Sequence, residues 1–208
     1  SDVAAGEVHQ QLFSSLASEV LLRLRRREVA GRDAASLFYS FSQAGELNPD
    51  LADELAQAVG RAPQTLNGQD LALVVPCLRA VPSEGRPKIL DVLARRTSQC
   101  MATLSPRQLA RLACGFGEAS ARSPPLWNSL GHEALARSSF FAAPDVLRIL
   151  VGLDAAASGA GITVRPEVLD SFWSLAAQKS GKFLAEESLA LLQLWPRLAA
   201  TIQRERLD

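Results

Sequence analysis

Cysteine is scarce and unpaired in this sequence: Cys77, Cys100 and Cys114 stand apart, without the spacing of a ligand pair. An odd, sparse count excludes a disulfide framework and fits a reducing compartment. Histidine is scarcer, with only His9 and His132, and neither has Cys or an acidic residue at metal-ligand spacing. No zinc centre or other cofactor is expected. No apolar run approaches the roughly 20 residues of a membrane span, and no secretory signal pattern is visible. The chain opens on Ser rather than Met, which reads as a processed or trimmed product. A single Tyr and few β-branched runs argue against a sheet. Net charge is zero, with 22 basic and 22 acidic residues, so any nucleic-acid site must be local rather than a global basic field.

What the chain has is apolar content and arginine. Apolar residues make up 48% of its 208 positions, dominated by Leu and Ala, which is a folded, helix-leaning composition. Only Lys88, Lys179 and Lys182 among the 22 basic residues are not Arg. Arg grips phosphate bidentately, and a GC-rich coding sequence produces the same bias.

The apolar pattern repeats. In Gln108–Phe116 apolar residues fall at the second, fifth and ninth positions, as Leu109, Leu112 and Phe116, on one helix face. The same nine-residue frame fits segments opening at Asp33, Asp70 and Asp145 and, less well, Glu187. The anchors are spaced by 37, 38, 37 and 42 residues. A second helix follows each of the first four anchors, from Leu51, Ile89, Leu126 and Val168, and the loop Ala157–Pro166 lengthens the fourth unit. Residues 1–28 read as the second helix of a preceding unit. The expected fold is all-α, an α-solenoid of about five helix-turn-helix repeats forming one domain over residues 1–208.

Capping signals agree with the period. Asn48-Pro49, Ser105-Pro106 and Ser123-Pro124 each set an N-cap before a proline at the first helical position. Asn67 caps without proline, Ser105 with Gln108 makes a capping box, and Asp145 and Glu167 place acids in positive first turns. Pro76 is expected to kink its helix, and Pro196 to kink or end the last one.

The opening Leu104-Ser-Pro-x-Gln-Leu-Ala-x-Leu-x-x-x-Phe116 resembles the helical-hairpin repeats of octotricopeptide and heptatricopeptide proteins, which often accompany a RAP domain. The likeness is best over Leu104–Leu135, fair over Asp33–Ala102 and loose after Val151. The Pro-Pro-Pro-Glu-Trp signature of the strict octotricopeptide repeat is absent, and no RAP-like stretch follows Arg204. The resemblance implies a mitochondrial or plastid protein that handles RNA or forms a fixed part of an organellar ribosome.

On such a scaffold the first, fourth and eighth frame positions form a stripe opposite the core. Arg111 and Arg148 are candidate phosphate contacts there, with Arg107 nearby, while Gly115 and Gly152 leave room for a base or a partner side chain. Leu73 and Cys77 make the second unit's stripe apolar, which suits a protein partner. Arg23, Arg25, Arg26 and Arg27 form the densest positive cluster; they either compensate a helix dipole or meet phosphate or an acidic protein surface. Trp127, Trp173 and Trp195 read as packing residues, and Phe140-Phe141 as a plug between units. Ser158–Thr163 follows a helix rather than a strand and lacks a Lys-Ser/Thr ending, so it is no phosphate loop. No catalytic triad or carboxylate pair stands out. The expected protein is therefore no enzyme and takes no small-molecule substrate. It is a mitochondrial (alternatively plastid) ribonucleoprotein subunit touching ribosomal RNA and proteins, or a scaffold of another organellar complex without RNA.

Overall fold

The computed structural model describes residues 2–205, with side chains from 11 to 200. It is all-helical: ten α-helices and no strand among the described residues. They are α1 (Asp2–Arg25), α2 (Gly31–Ala44), α3 (Pro49–Arg61), α4 (Gly68–Val74), α5 (Arg86–Cys100), α6 (Pro106–Glu118), α7 (Pro124–Ala136), α8 (Ala143–Gly159), α9 (Pro166–Gln178) and α10 (Ala185–Glu205). The helices form two rows. α2, α4, α6, α8 and α10 pack each on the next, as do α1, α3, α5, α7 and α9. Within each pair the first helix also meets the second: α2 with α3, α4 with α5, α6 with α7, α8 with α9. One cluster of buried side chains runs between the rows from Ala17 to Leu198.

Helix starts follow from the capping residues. Asn48 Oδ1 accepts from Leu51 N at 2.8 Å. Asn67 accepts from the Gln69 and Asp70 amides, and Asp70 answers by accepting from Asn67 N at 3.0 Å. Ser105 and Gln108 make the reciprocal box. Ser123 does not cap; its helix starts on Pro124 with no side-chain bond.

Local outcomes depart from the pattern read in the sequence at Pro76, in the fifth unit and in α8. At Pro76 the chain does not merely kink: α4 stops at Val74 and winds on as 3-10 helix over Val75–Ala80. Proline lacks the N–H and crowds the preceding turn, so the tighter winding is the outcome. Pro196 lies inside α10, which continues to Glu205. In the fifth unit the frame slips by one residue, because Leu194 and Leu198 are buried while Trp195 is half exposed. The extra length before it is absorbed partly by α8, which runs through Gly159 instead of yielding to a loop at Ala157.

Two of the four paired second helices, α5 and α7, are tied back to the start of their own pair by arginine. Arg96 of α5 donates to the Leu66 carbonyl at 3.1 and 2.9 Å. Arg137, at the end of α7, donates to the Leu104 carbonyl, to Ala102 at 3.1 Å and to Glu133. Each carbonyl ends a 3-10 turn, Pro63–Thr65 or Met101–Thr103, ahead of the next first helix. A charged donor there satisfies acceptors the turn leaves free.

The first-helix row is closest between α6 and α8. A Cβ at Gly117 would collide with the Gly152 carbonyl, and one at Gly152 with the Ala113 carbonyl. Backbone cannot swing aside as a side-chain tip can. Gly152→Val should therefore cost about 3 kcal/mol or more, read as a lower urea midpoint at unchanged m. Gly181→Ala faces open space and should stay within about 0.5 kcal/mol. Equal effects from both substitutions would refute the close backbone seam.

Candidate functional site

The stripe expected on the first helices is only partly a surface. Its eighth position is buried in four of five units, at Cys77, Gly115, Gly152 and Leu194, and open only at Ser40. The first position is buried at Asp70 and Asp145. Consecutive first helices meet through these positions, so they carry packing rather than recognition. Gly115 faces Pro76, whose nitrogen would lie 2.8 Å from an added Cβ. Gly115 and Gly152 thus leave no room for a base; they let helices touch. Cys77 is 4% exposed and bonds the Leu73 carbonyl, 3.3 Å away. Of the apolar pair expected to meet a partner, only Leu73 is accessible, and it is half-buried.

The open part of the row is lined by arginine. Arg79 and Arg107 are exposed, Arg111 and Arg148 half-buried. The Arg111 guanidinium sits 5.8 Å from the centroid of the Tyr39 ring, within cation–π range. Arg148 Nη1 donates to Asp145 Oδ1 at 3.0 Å. The two cysteines report the reach of these charges. Burial pushes the Cys77 thiol up, while a hydrogen bond with Ser42 and the fields of Arg111 and Arg79 draw it back. Cys114 is pushed up to about 12 by burial and by Glu118, against the pull of Arg148 and Arg79. Arg79 thus lies within electrostatic reach of both thiols, sharing Cys77 with Arg111 and Cys114 with Arg148, with Glu118 and Asp145 as local counter-charge.

The remaining predicted residues divide. Arg23, Arg25, Arg26 and Arg27 do not join that face, because they end α1 in the second-helix row. Arg23 pairs with Glu19 at 2.7 Å and Arg25 with Glu54 of α3 at 3.4 Å. Trp127 is buried and donates to the Ala121 carbonyl at 2.9 Å. Trp173 and Trp195 meet edge to face at 5.0 Å. Of the expected plug, Phe141 is buried against Phe172, whereas Phe140 is exposed. His132 is exposed, and the side chain of His9 lies outside the described residues. Among the described residues, no group of three His, Cys, Asp or Glu could hold a metal, and no helix is long and apolar enough to cross a membrane.

Arg79 is the residue that the helical frame missed. It follows Pro76 in the 3-10 segment, where a period of 3.6 no longer says which way a side chain points. Its position one helix before Arg111 was the available signal. The arrangement offers a charged, partly aromatic surface for an anionic or polar partner. A scan against protein-family models matches none, and a search of curated proteins finds no match.

The Cys114 shift has a direct readout. Alkylation by iodoacetamide proceeds through the thiolate. With its pKa near 12, Cys114 at pH 8 should react on the order of a thousandfold slower than a free cysteine. The rate should rise about tenfold per pH unit up to pH 10 or so. A rate that levels off near pH 9 would show an ordinary exposed thiol.

Proposed function

We propose that the paired helices are repeats of an α-solenoid, and that the chain is a non-catalytic subunit of an organellar ribonucleoprotein particle. Its first-helix face meets RNA phosphates through Arg79, Arg111 and Arg148. The observation that carries this reading is the succession of those three arginines along consecutive units, with Arg79 acting on Cys77 together with Arg111 and on Cys114 together with Arg148. Arginines one repeat apart suit the repeating charge of a nucleic-acid backbone. The two rows of helices, each packed on the next of its kind, support the solenoid. The organellar setting, mitochondrion or plastid, rests on the resemblance of Leu104–Leu135 to the octotricopeptide and heptatricopeptide repeats. A ribosomal location would add protein neighbours, for which Leu73 is an accessible contact.

A second reading has its own support. Arg32 pairs with Asp70 at 3.2 Å, Arg148 with Asp145, and Arg197 with Asp154 at 2.9 Å. Carboxylates along the same row repel phosphate. They favour a scaffold that binds only proteins, in a large organellar assembly without RNA contact.

A salt series on single-stranded RNA separates the two. Binding measured by fluorescence anisotropy should weaken tenfold or more in the triple Arg79→Gln, Arg111→Gln, Arg148→Gln variant. Losing three phosphate contacts should make the slope of log K against log salt shallower by about two. No binding by the parent chain at low salt, or an unchanged slope in the variant, would overturn the RNA reading and leave the protein scaffold.

A further inference from the structure

A groove follows the side of the protein where each hairpin turns from its first helix to its second. Two open clefts form its centre, each walled by one second helix and by the turn of the next hairpin. One lies between α3 and Pro82–Gly85, with a volume of about 530 Å³. The other lies between α5 and Ala119–Arg122, with a volume of about 480 Å³. Pro49, Asp50 and Asp53 of α3 line the first as Arg86, Pro87 and Leu90 of α5 line the second, 37 residues on. The clefts share a wall, since Gly85 belongs to one and Arg86 to the other. A third cleft, between α1 and Gly45–Asn48, continues the line.

The two central clefts differ in sign. The first holds Asp50, Asp53 and Glu84 against Lys88, a net charge of −2. Asp53 accepts from Gln57 at 2.8 Å, while Asp50 and Glu84 are exposed and without an ion pair among the described residues. Glu54, beside them on α3, is held by Arg25. The second cleft holds Arg86 and Arg122 against Asp91, a net charge of +1. Arg86 spends Nε and Nη2 on the Val81 and Arg79 carbonyls, so the exposed Arg122 is the cation left for a ligand. Arg95, one turn beyond Asp91, adds to the positive side. Glu118, just ahead of this cleft in sequence, is directed at the Cys114 thiol instead.

This order of signs suits a protein segment and not an RNA strand, whose phosphates the first cleft repels. Packed helices stand about 8–10 Å apart. A polyproline-II segment returns every third side chain to one edge, about 9.3 Å along the chain. A β-strand returns every second one, about 6.6 Å along, and falls out of step with the clefts. We infer that the groove takes an extended protein segment in the polyproline-II conformation, with a Lys or Arg in the cleft between α3 and α5 and, three residues away, an Asp or Glu against Arg122. The contact does not use the first-helix face, so it is compatible with either reading of the function.

Fluorescence anisotropy with labelled synthetic peptides tests this on the 208-residue chain. Pro-Pro-Lys-Pro-Pro-Glu-Pro-Pro should bind saturably. A peptide with Lys and Glu four apart should bind about fivefold more weakly, the loss of roughly one exposed ion pair. Asp50→Asn with Glu84→Lys takes the first cleft from −2 to +1. That variant should lose the Lys/Glu probe by a similar factor and prefer the peptide with Glu at both charged positions. Arg122→Glu should prefer the peptide with Lys at both. Helical circular dichroism should not change in either variant, because all three side chains are exposed. No saturable binding of the probe up to about 1 mM overturns the proposal. So does equal affinity for the two spacings, or a preference that neither variant moves. None of these results bears on the RNA reading, which rests on Arg79, Arg111 and Arg148.

Discussion

The approach of α6 to α8 through bare backbone governs the rest of this structure. Gly117 and Gly152 let the two helices touch where any side chain would hold them apart. That contact sets the spacing of the first-helix row, and Gly115 repeats the device against Pro76 on the other side of α6. Such interhelical distances are determined by the side chains at the crossing, and small residues give the shortest ones. Because the row is tight there, the side chains flanking the seam are crowded onto a narrow open strip. Arg79 acts on Cys77 alongside Arg111 and on Cys114 alongside Arg148.

The second row is regulated differently. Two of its helices, α5 and α7, are held to their partners by arginine reaching across to backbone carbonyls, Arg96 to Leu66 and Arg137 to Leu104. These bonds close the gap left by the short 3-10 turns between units, where carbonyls would otherwise lack partners. Arginine in this protein thus has two occupations. One set is internal and structural; another, on the first-helix face and at the end of α1, remains accessible. Its abundance alone could not separate them.

How much could be read without coordinates follows from which interactions are local. The helix starts were legible because a cap and the amides it satisfies lie within three residues, as at Asn48, Asn67 and Ser105. The frame was legible through four units because Leu109, Leu112 and Phe116, like their counterparts, face one core. It failed by one residue in the fifth, where Glu187 marks the helix but Leu194 and Leu198 mark the burial. The stripe was the weak point. A helical wheel distinguishes core from non-core, but it does not say which non-core positions a neighbouring helix will cover. Cys77, Gly115 and Gly152 were read as surface and are seam, because packing along the row is a contact between residues some 37 positions apart.

The same distinction decides what the charges can do. Asp70 is spent at its helix start, bonded to Asn67 and facing Arg32, while Asp145 sits beneath Arg148. A carboxylate buried beneath an arginine orients it and lowers its net field at the same time. Arg111 is different: its partner is the Tyr39 ring, which fixes its direction without cancelling its charge. Arg111 therefore keeps more of its positive field for a ligand than Arg148 does. If an anionic chain lies along this face, Arg111 holds it more strongly than Arg148, whose charge Asp145 offsets.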